Sequence, residues 1–371
     1  MLIDRRLAKN IDYGLLCATL ALVVFGIIII YSATCANRGE NLGDPFYFVK
    51  RQALAAVLGV LAVLFMLSTD YRLLERIRNP IYLGNIALLA AVLIAGQRVS
   101  GAQSWFRLGP LALQPSELAK VAVIITLADH LAKRDDIDTF LGLIPPFIHA
   151  GIPMALILLQ NDLGTVLVFA AIVLGMVYIA GARTRDLAVI AAGTGALSPF
   201  IYFFLLKPYQ RARLLIFLNP YRDPMGDGYN VIQSTIAIGS GRLFGKGLFG
   251  GTQAKLNFLP AHHTDFIFSV VGEELGFIGA VIVLLVYLFI IWRCLQASWQ
   301  AKDKYGSLLA AGVASMLLFH VLINIGMTMS VMPVTGIPLP FLSYGGSAML
   351  ADLIAIGIVL NVYMRRQKIL F

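Results

Sequence analysis

Ten apolar runs separated by short polar stretches dominate the chain. Measured against the roughly 17–25 residues a helix needs to cross a bilayer, they fall at 12–33, 52–68, 79–96, 115–132, 140–159, 164–181, 186–206, 266–292, 306–330 and 344–364. The pattern predicts an all-α polytopic membrane protein of about ten transmembrane helices. The first run follows Arg5, Arg6 and Lys9 in the manner of a signal peptide. It outruns the usual ~7–15-residue apolar core of one, so it is expected to stay as the first span.

The rhythm breaks between the seventh and eighth runs. Residues 207–265 alternate basic, glycine-rich and aromatic stretches (YQRARLLIFLNPYRDPMGDGYN, then AIGSGRLFGKGLFGG), too apolar and too varied for a disordered tether. One large loop is expected between helices 7 and 8, packed against the body of a single domain covering 1–371. A second irregular stretch, Ser330 to Gly346, carries no charge and several prolines and glycines. Such backbone at membrane depth must be buried in protein, so it is expected to be re-entrant or interfacial and to line a cavity.

Composition excludes the soluble alternatives. Apolar residues make up 59% and charged residues 13%, against about 25% charged in globular domains. Lys and Arg in the short loops set the orientation. One side carries sixteen, from Arg5, Arg6 and Lys9 to Arg365, Arg366 and Lys368, and the other five, Arg38, Lys50, Arg51, Arg98 and Arg107. Both termini are therefore expected in the cytoplasm and the long loop outside, since long loops translocate largely regardless of charge. Three cysteines, Cys17, Cys35 and Cys294, show neither a disulfide framework nor metal-ligand spacing, so no metal site is expected of the protein ligands. No G-x-G-x-x-G follows a strand, and no nucleic-acid partner is indicated.

Charges inside spans are costly and mark candidate sites. They are Glu117, Lys120 and Asp129 in the fourth run, Glu273 and Glu274 in the eighth and Asp352 in the tenth, with Asp162 and Asp265 at outer ends. Glu117 and Lys120, three apart, share a helix face and can pair. That pair either stabilises a helix start or sits at an outer mouth where Lys120 holds a phosphate. Asp265 ends the cluster His262, His263, Thr264, Asp265. It either caps the eighth helix or serves as general base for a sugar hydroxyl. Gly239 to Gly247 offers flexible N–H groups with Arg242 and Lys246, the makings of an anion nest, though not a Walker loop. With Arg211 and Arg213 it suggests an acidic ligand outside the membrane.

The segments QPSELAK (114–120), NDLGT (161–165), FLNPYRDPMGDGYNVIQS (217–234), AIGSG (237–241), GKG (245–247), FLPAHHTDFIFSVVGEELG (258–276) and MPVTGIPLPFLSYGGS (332–347) resemble the SEDS family of shape, elongation, division and sporulation proteins, in order and over nearly the whole chain. The short basic N-terminus and the GTQ…LNFLP approach to HTDFIF look more like the elongation type, RodA, than the septal type, FtsW. The resemblance implies a peptidoglycan glycosyltransferase of the bacterial cytoplasmic (inner) membrane that polymerises lipid II on its outer face. It also implies a class B penicillin-binding protein as partner, with elongation-complex membrane proteins such as MreC and MreD. Asp265 falls on the family's catalytic position. Glu117, Lys120 and Asp162 match positions tied to activity, and Arg211, Arg213, Lys246, His263, Thr264 and Ser343 complete the expected substrate-binding set. Three residues depart from the family pattern: Asn161 for a usual proline, Ala261 for a usual glutamate and Arg242 for a usual glycine.

These readings converge on one scheme. Cations neutralise a departing diphosphate while Asp265 takes the proton of the acceptor 4-hydroxyl, which attacks the anomeric carbon with inversion. A divalent cation, magnesium or manganese, bridging Asp265 and the diphosphate is chemically plausible but not demanded. The competing readings are a lipid-precursor flippase, with essential charges spread through the membrane's depth, and a non-catalytic scaffold of the elongation machinery.

Overall fold

Ten helices occupy the ten apolar windows in a computed structural model that describes residues 7, 9–35, 44–99, 102–108, 111–226, 228–256 and 258–366. Arg5, Arg6, Arg38 and Lys368, counted above for orientation, lie outside them. The first helices are α1 (Tyr13–Thr34), α2 (Tyr47–Ser68), a single turn α3 (Arg72–Arg76) and α4 (Arg78–Ala95). Strands β1 (Gln97–Val99), β2 (Ala102–Leu108) and β3 (Leu111–Leu113) follow, forming a small antiparallel sheet in that order. Next come α5 (Pro115–Ala132), α6 (Ile144–Leu159), α7 (Leu163–Ile179) and α8 (Thr184–Phe200). The long loop carries α9 (Pro208–Leu218) and α10 (Tyr229–Ser240), and α11 (Ile267–Trp299), α12 (Lys304–Thr328) and α13 (Gly346–Met364) close the chain.

Local chemistry sets several of these starts. Asp12, Asp162 and Asp303 cap α1, α7 and α12, each carboxylate accepting a backbone N–H three residues on, at 3.0, 3.0 and 2.8 Å. Pro115 opens α5, where its missing N–H costs nothing. Eight of the helices are long and apolar enough to cross a bilayer. Of the other two predicted spans, α7 is short, and α5 carries Glu117, Lys120 and Asp129.

The starts of α2, α5, α7 and α13 and the end of α12 bond to one another or to residues 207–265, and Tyr31 near the end of α1 stacks on Phe46 and meets Phe249, so they share one end of the bundle, here the loop face. At the centre stand α12 and α13, whose apolar windows are 78% and 89% buried, against none for α8. A helix apolar all round that is buried belongs to a core, whereas α8 turns its apolar surface outward.

The eighth span differs from the expected one. The element from Ile267 to Trp299 breaks at Gly276 (φ 66°, ψ −164°). Before the break, the carbonyl of Asp265 accepts from Asn324 of α12. Four residues on, Ser269 meets Ser234 of α10, which also bonds the carbonyl of Thr328 at the end of α12. The stretch therefore climbs from Asp265 towards the loop face, and the crossing proper follows Gly276. Glu273 and Glu274, expected inside the eighth span with Asp265 at its outer end, thus lie nearer the loop face than Asp265, because the helix does not run straight.

The stretch 331–345 has no regular secondary structure yet is buried at Ile337, Leu339, Phe341 and Leu342. It dips into the bundle far enough for Tyr287 of α11 to donate to the carbonyl of Pro340 at 2.5 Å. The long loop packs on the body as its composition suggests, with Val231, Ser234 and Ala237 of α10 buried.

Candidate active site at the loop face

Three consecutive carbonyls hold the turn that carries Asp265. That of His263 accepts the N–H of Tyr344 at 2.9 Å, that of Thr264 the hydroxyl of Ser343 at 2.7 Å, and that of Asp265 the amide of Asn324 at 2.9 Å. Ser343 accepts the N–H of Leu339, and Asn324 also donates to the carbonyl of Ile337, so both tie the turn to the re-entrant stretch. Gln52 of α2, wholly buried, completes the frame by donating to the carbonyl of Ser343 and accepting the N–H of Gly345.

The side chain of Asp265 is left free. Among the described residues its carboxylate makes no hydrogen bond or ion pair. It stands beside Gly336 (φ +72°), where a Cβ would sit 3.5 Å from Oδ2. Surrounding protein pushes its pKa up to about 6, the charge of Arg213 opposing the rise. His263 is pulled down to about 4 by burial and then by His262, so it is a neutral imidazole at physiological pH. Its ring lies 4.5 Å from Phe48, and its Nδ1 is buried without a partner.

The other predicted residues divide sharply. Arg213 reaches Tyr209 as a cation–π pair and makes no ion pair or hydrogen bond among the described residues, which leaves its charge free to act near Asp265. Arg211 instead donates to the carbonyls of Leu206 and Phe203 and closes the end of the preceding helix. Lys246 donates to Glu273 at 2.6 Å. The backbone N–H groups of Lys246 and Gly247 donate to the carbonyls of Glu273 and Glu274. The expected anion nest is therefore filled by protein: it clamps the break at Gly276, whose kink frees those carbonyls. Thr252 and Gln253 bind the Glu273 carboxylate, and Ser32 binds that of Glu274.

Lys120 is not at a mouth. It is 1% exposed and donates to Glu117 at 2.8 Å, with His320 of α12 at 3.1 Å. His320 Nδ1 lies 3.3 Å from the carbonyl of Pro338, so the pair links α5 to the re-entrant stretch. Asp352 is buried nearby, with Oδ1 unpartnered. Asp162 is occupied by Thr165 and Gln114 as the cap of α7. Glu117, Lys120, Asp162 and Ser343 thus frame the site, and Asp265 and Arg213 face into it. Asn324 and Gln52 escaped the sequence reading, although a lone amide within an apolar run is the signal that betrays such a residue.

A family model describing cell cycle proteins of the FtsW, RodA and SpoVE type matches residues 13–368. The chain belongs to this family. A Geobacter metallireducens protein named probable peptidoglycan glycosyltransferase FtsW is 39% identical over 97% of this chain and 96% of its own. The Escherichia coli peptidoglycan glycosyltransferase MrdB is 37% identical over 97% and 95%. A chain of a solved peptidoglycan synthase complex, described as coordinating polymerization and crosslinking, superposes with a TM-score of 0.81 at 37% identity, covering 96% of this chain and 98% of that one.

Against the FtsW/RodA/SpoVE pattern, the three departures share one backbone feature. Asn161, Arg242 and Ala261 all lie at positive φ, 65°, 51° and 52°. A proline could not adopt the first. Asn161 uses the conformation to reach Lys207 with its side chain and Tyr209 with its carbonyl. Ala261 makes the turn whose carbonyl accepts from Thr264 and Phe266. None of the three alters the three bonds that hold the Asp265 turn.

Proposed function

We propose that this protein is a peptidoglycan glycosyltransferase that polymerises lipid II at the outer face of the cytoplasmic membrane during cell elongation, paired with a class B penicillin-binding protein. The observation that carries the reading is the free carboxylate of Asp265 on a turn whose three carbonyls are all fixed. A helix cap would spend that carboxylate on backbone N–H groups, as Asp12, Asp162 and Asp303 do. A general base instead needs it unspent and positioned.

Asp265 takes the proton of the acceptor's 4-hydroxyl as that oxygen bonds to the anomeric carbon of the donor. The bond from that carbon to the lipid diphosphate breaks, and the electron pair leaves with the diphosphate. Arg213, whose charge is unspent among the described residues and reaches Asp265, neutralises the leaving group. The Lys and Arg count supports cytoplasmic termini and a loop face turned outside, where sugars meet water and isoprenoid tails stay in lipid.

Among the described residues no group of three or more His, Cys, Asp or Glu gathers to hold a metal ion. Asp265 offers one carboxylate, so a magnesium or manganese ion would have to arrive with the diphosphate, and the scheme assigns it no step. Names of both the septal and the elongation type match at nearly equal identity. The elongation role therefore rests on the N-terminus and the approach to HTDFIF. The partner reading draws support from the likeness to the synthase complex. Depleting the protein in a rod-shaped host tests the role: rounding of cells supports elongation, and filamentation without rounding refutes it.

A further inference from the structure

At the face opposite Asp265, α4, α5 and α6 enclose a polar cavity of about 360 Å³ that no step of glycosyl transfer uses. Arg78 and Asn79 enter it from the start of α4, and Asp129, Lys133 and Arg134 from the end of α5. Asp129 is 3% exposed and bridges both Arg78 and Lys133. One buried carboxylate between two cations leaves positive charge over, and Arg134 adds to it.

The remaining counter-charges stand on the rim. Lys133 meets Glu75 at 3.4 Å, and Arg134 meets Asp136 at 3.0 Å and His130 at 3.4 Å. The side chains of Glu75 and Asp136 are 37% and 53% exposed, and solvated pairs of that kind contribute little. They yield readily to an acceptor that brings more charge. The side-chain amide of Asn79 makes no hydrogen bond among the described residues.

One wall is rigid. The ring of Tyr82 stacks on His149 at 4.2 Å and 16°, and His149 on His130 at 5.3 Å and 9°. The Tyr82 hydroxyl donates to the carbonyl of His149, and His149 Nε2 meets Thr126 at 3.0 Å. Next in the chain to the lining residues Tyr82 and His149, Leu83 and Ile148 are 65% and 59% exposed, as residues facing lipid are. The cavity thus lies where headgroups meet hydrocarbon, on the side whose loops gather Lys and Arg, and basic pockets between helices at that level suit lipid phosphates.

We propose that this cavity binds a phosphate ester, as carried by the headgroup of an anionic phospholipid. Arg78, Lys133 and Arg134 hold the phosphate oxygens, and Asn79 donates to a neighbouring ester oxygen. The site is independent of the chemistry at Asp265.

Native mass spectrometry of the full-length protein, offered phosphatidylglycerol or phosphatidylcholine in matched micelles, tests this. The wild type is expected to retain phosphatidylglycerol in preference to phosphatidylcholine. Lys133→Gln with Arg134→Gln is expected to retain about tenfold less, and Lys133→Arg with Arg134→Lys to retain it. Inorganic phosphate at constant ionic strength is a second arm. Displacement of phosphatidylglycerol by phosphate supports the phosphate site with a lipid source. Stabilisation by phosphate without lipid retention supports it with a soluble phosphate ester as the source. Measurable but equal retention of both lipids by the wild type, or retention of neither with no stabilisation by phosphate, overturns the proposal even if the neutral variant fails to fold. So does equal retention of phosphatidylglycerol by the wild type and a neutral variant with an unchanged unfolding midpoint.

Discussion

Asp265 is caught between two demands, and both can be measured. Its pKa of about 6 means that the base is lost as pH falls, so kcat/KM is expected to decline below about pH 6; a profile flat to pH 5 would contradict the role. The same shift has a cost in stability. A carboxyl whose folded-state pKa lies above its unfolded value favours folding most below pH 3.8, and that contribution is lost as pH rises through about 6. Asp265→Asn is therefore expected to raise the unfolding midpoint at pH 7.5 and to leave it little changed at pH 4. Asn324 works through the backbone, so its role is positioning. Asn324→Leu strips donors from the carbonyls of Asp265 and Ile337, at about 1–3 kcal/mol for each buried group. The expected signature is a fall in kcat larger than any change in KM, with the pH midpoint displaced. These residues show where sequence reading reaches its limit: Asp265 stood out because a charge at a span end is costly, but whether its carboxylate was free depended on partners 59 to 79 positions away.

Among the elements, the ten spans were legible because membrane thickness imposes length and apolarity on each. The break at Gly276 was not, since Glu273 and Glu274 mark a candidate site in the run but a single glycine within a span does not announce a kink. What decides the break is close approach: a Cβ at Gly276 would lie 2.3 Å from the N of Gly245 and 2.7 Å from the carbonyl O of Leu243. Gly276→Ala is expected to cost at least ~2 kcal/mol and to free Lys246 from Glu273, read as a lowered unfolding midpoint in detergent and faster proteolysis of the 241–252 loop. The small sheet of β1 to β3 was likewise hidden, being too short to show an alternation. Pairing between elements gives a further test. Lys120→Met leaves Glu117 buried without its cation and is expected to cost about 3–5 kcal/mol, while Glu117→Gln with Lys120→Met recovers most of it. Failure of the double variant to recover stability would show that Lys120 does more than join α5 to α12.

At the scale of the whole molecule, the loop face gathers the starts of α2, α5, α7 and α13 around the turn of Asp265, and the opposite face gathers the basic loops. The Lys and Arg count assigns the loop face to the outside, and single cysteines test it: one at Tyr221, 75% exposed on the long loop, is expected to react with an impermeant reagent in intact spheroplasts, and one at Arg134 only after lysis. The central claim is that one free carboxylate on this frame makes glycan. Its most direct test incubates purified protein with lipid II, alone and with a class B penicillin-binding protein whose transpeptidase serine is disabled, beside a folded Asp265→Asn variant that still binds lipid II. The account predicts polymer on the gel from the wild type with its partner and none from the variant. Polymer from Asp265→Asn at the wild-type rate, or none from the wild type where a control polymerase succeeds, would contradict it.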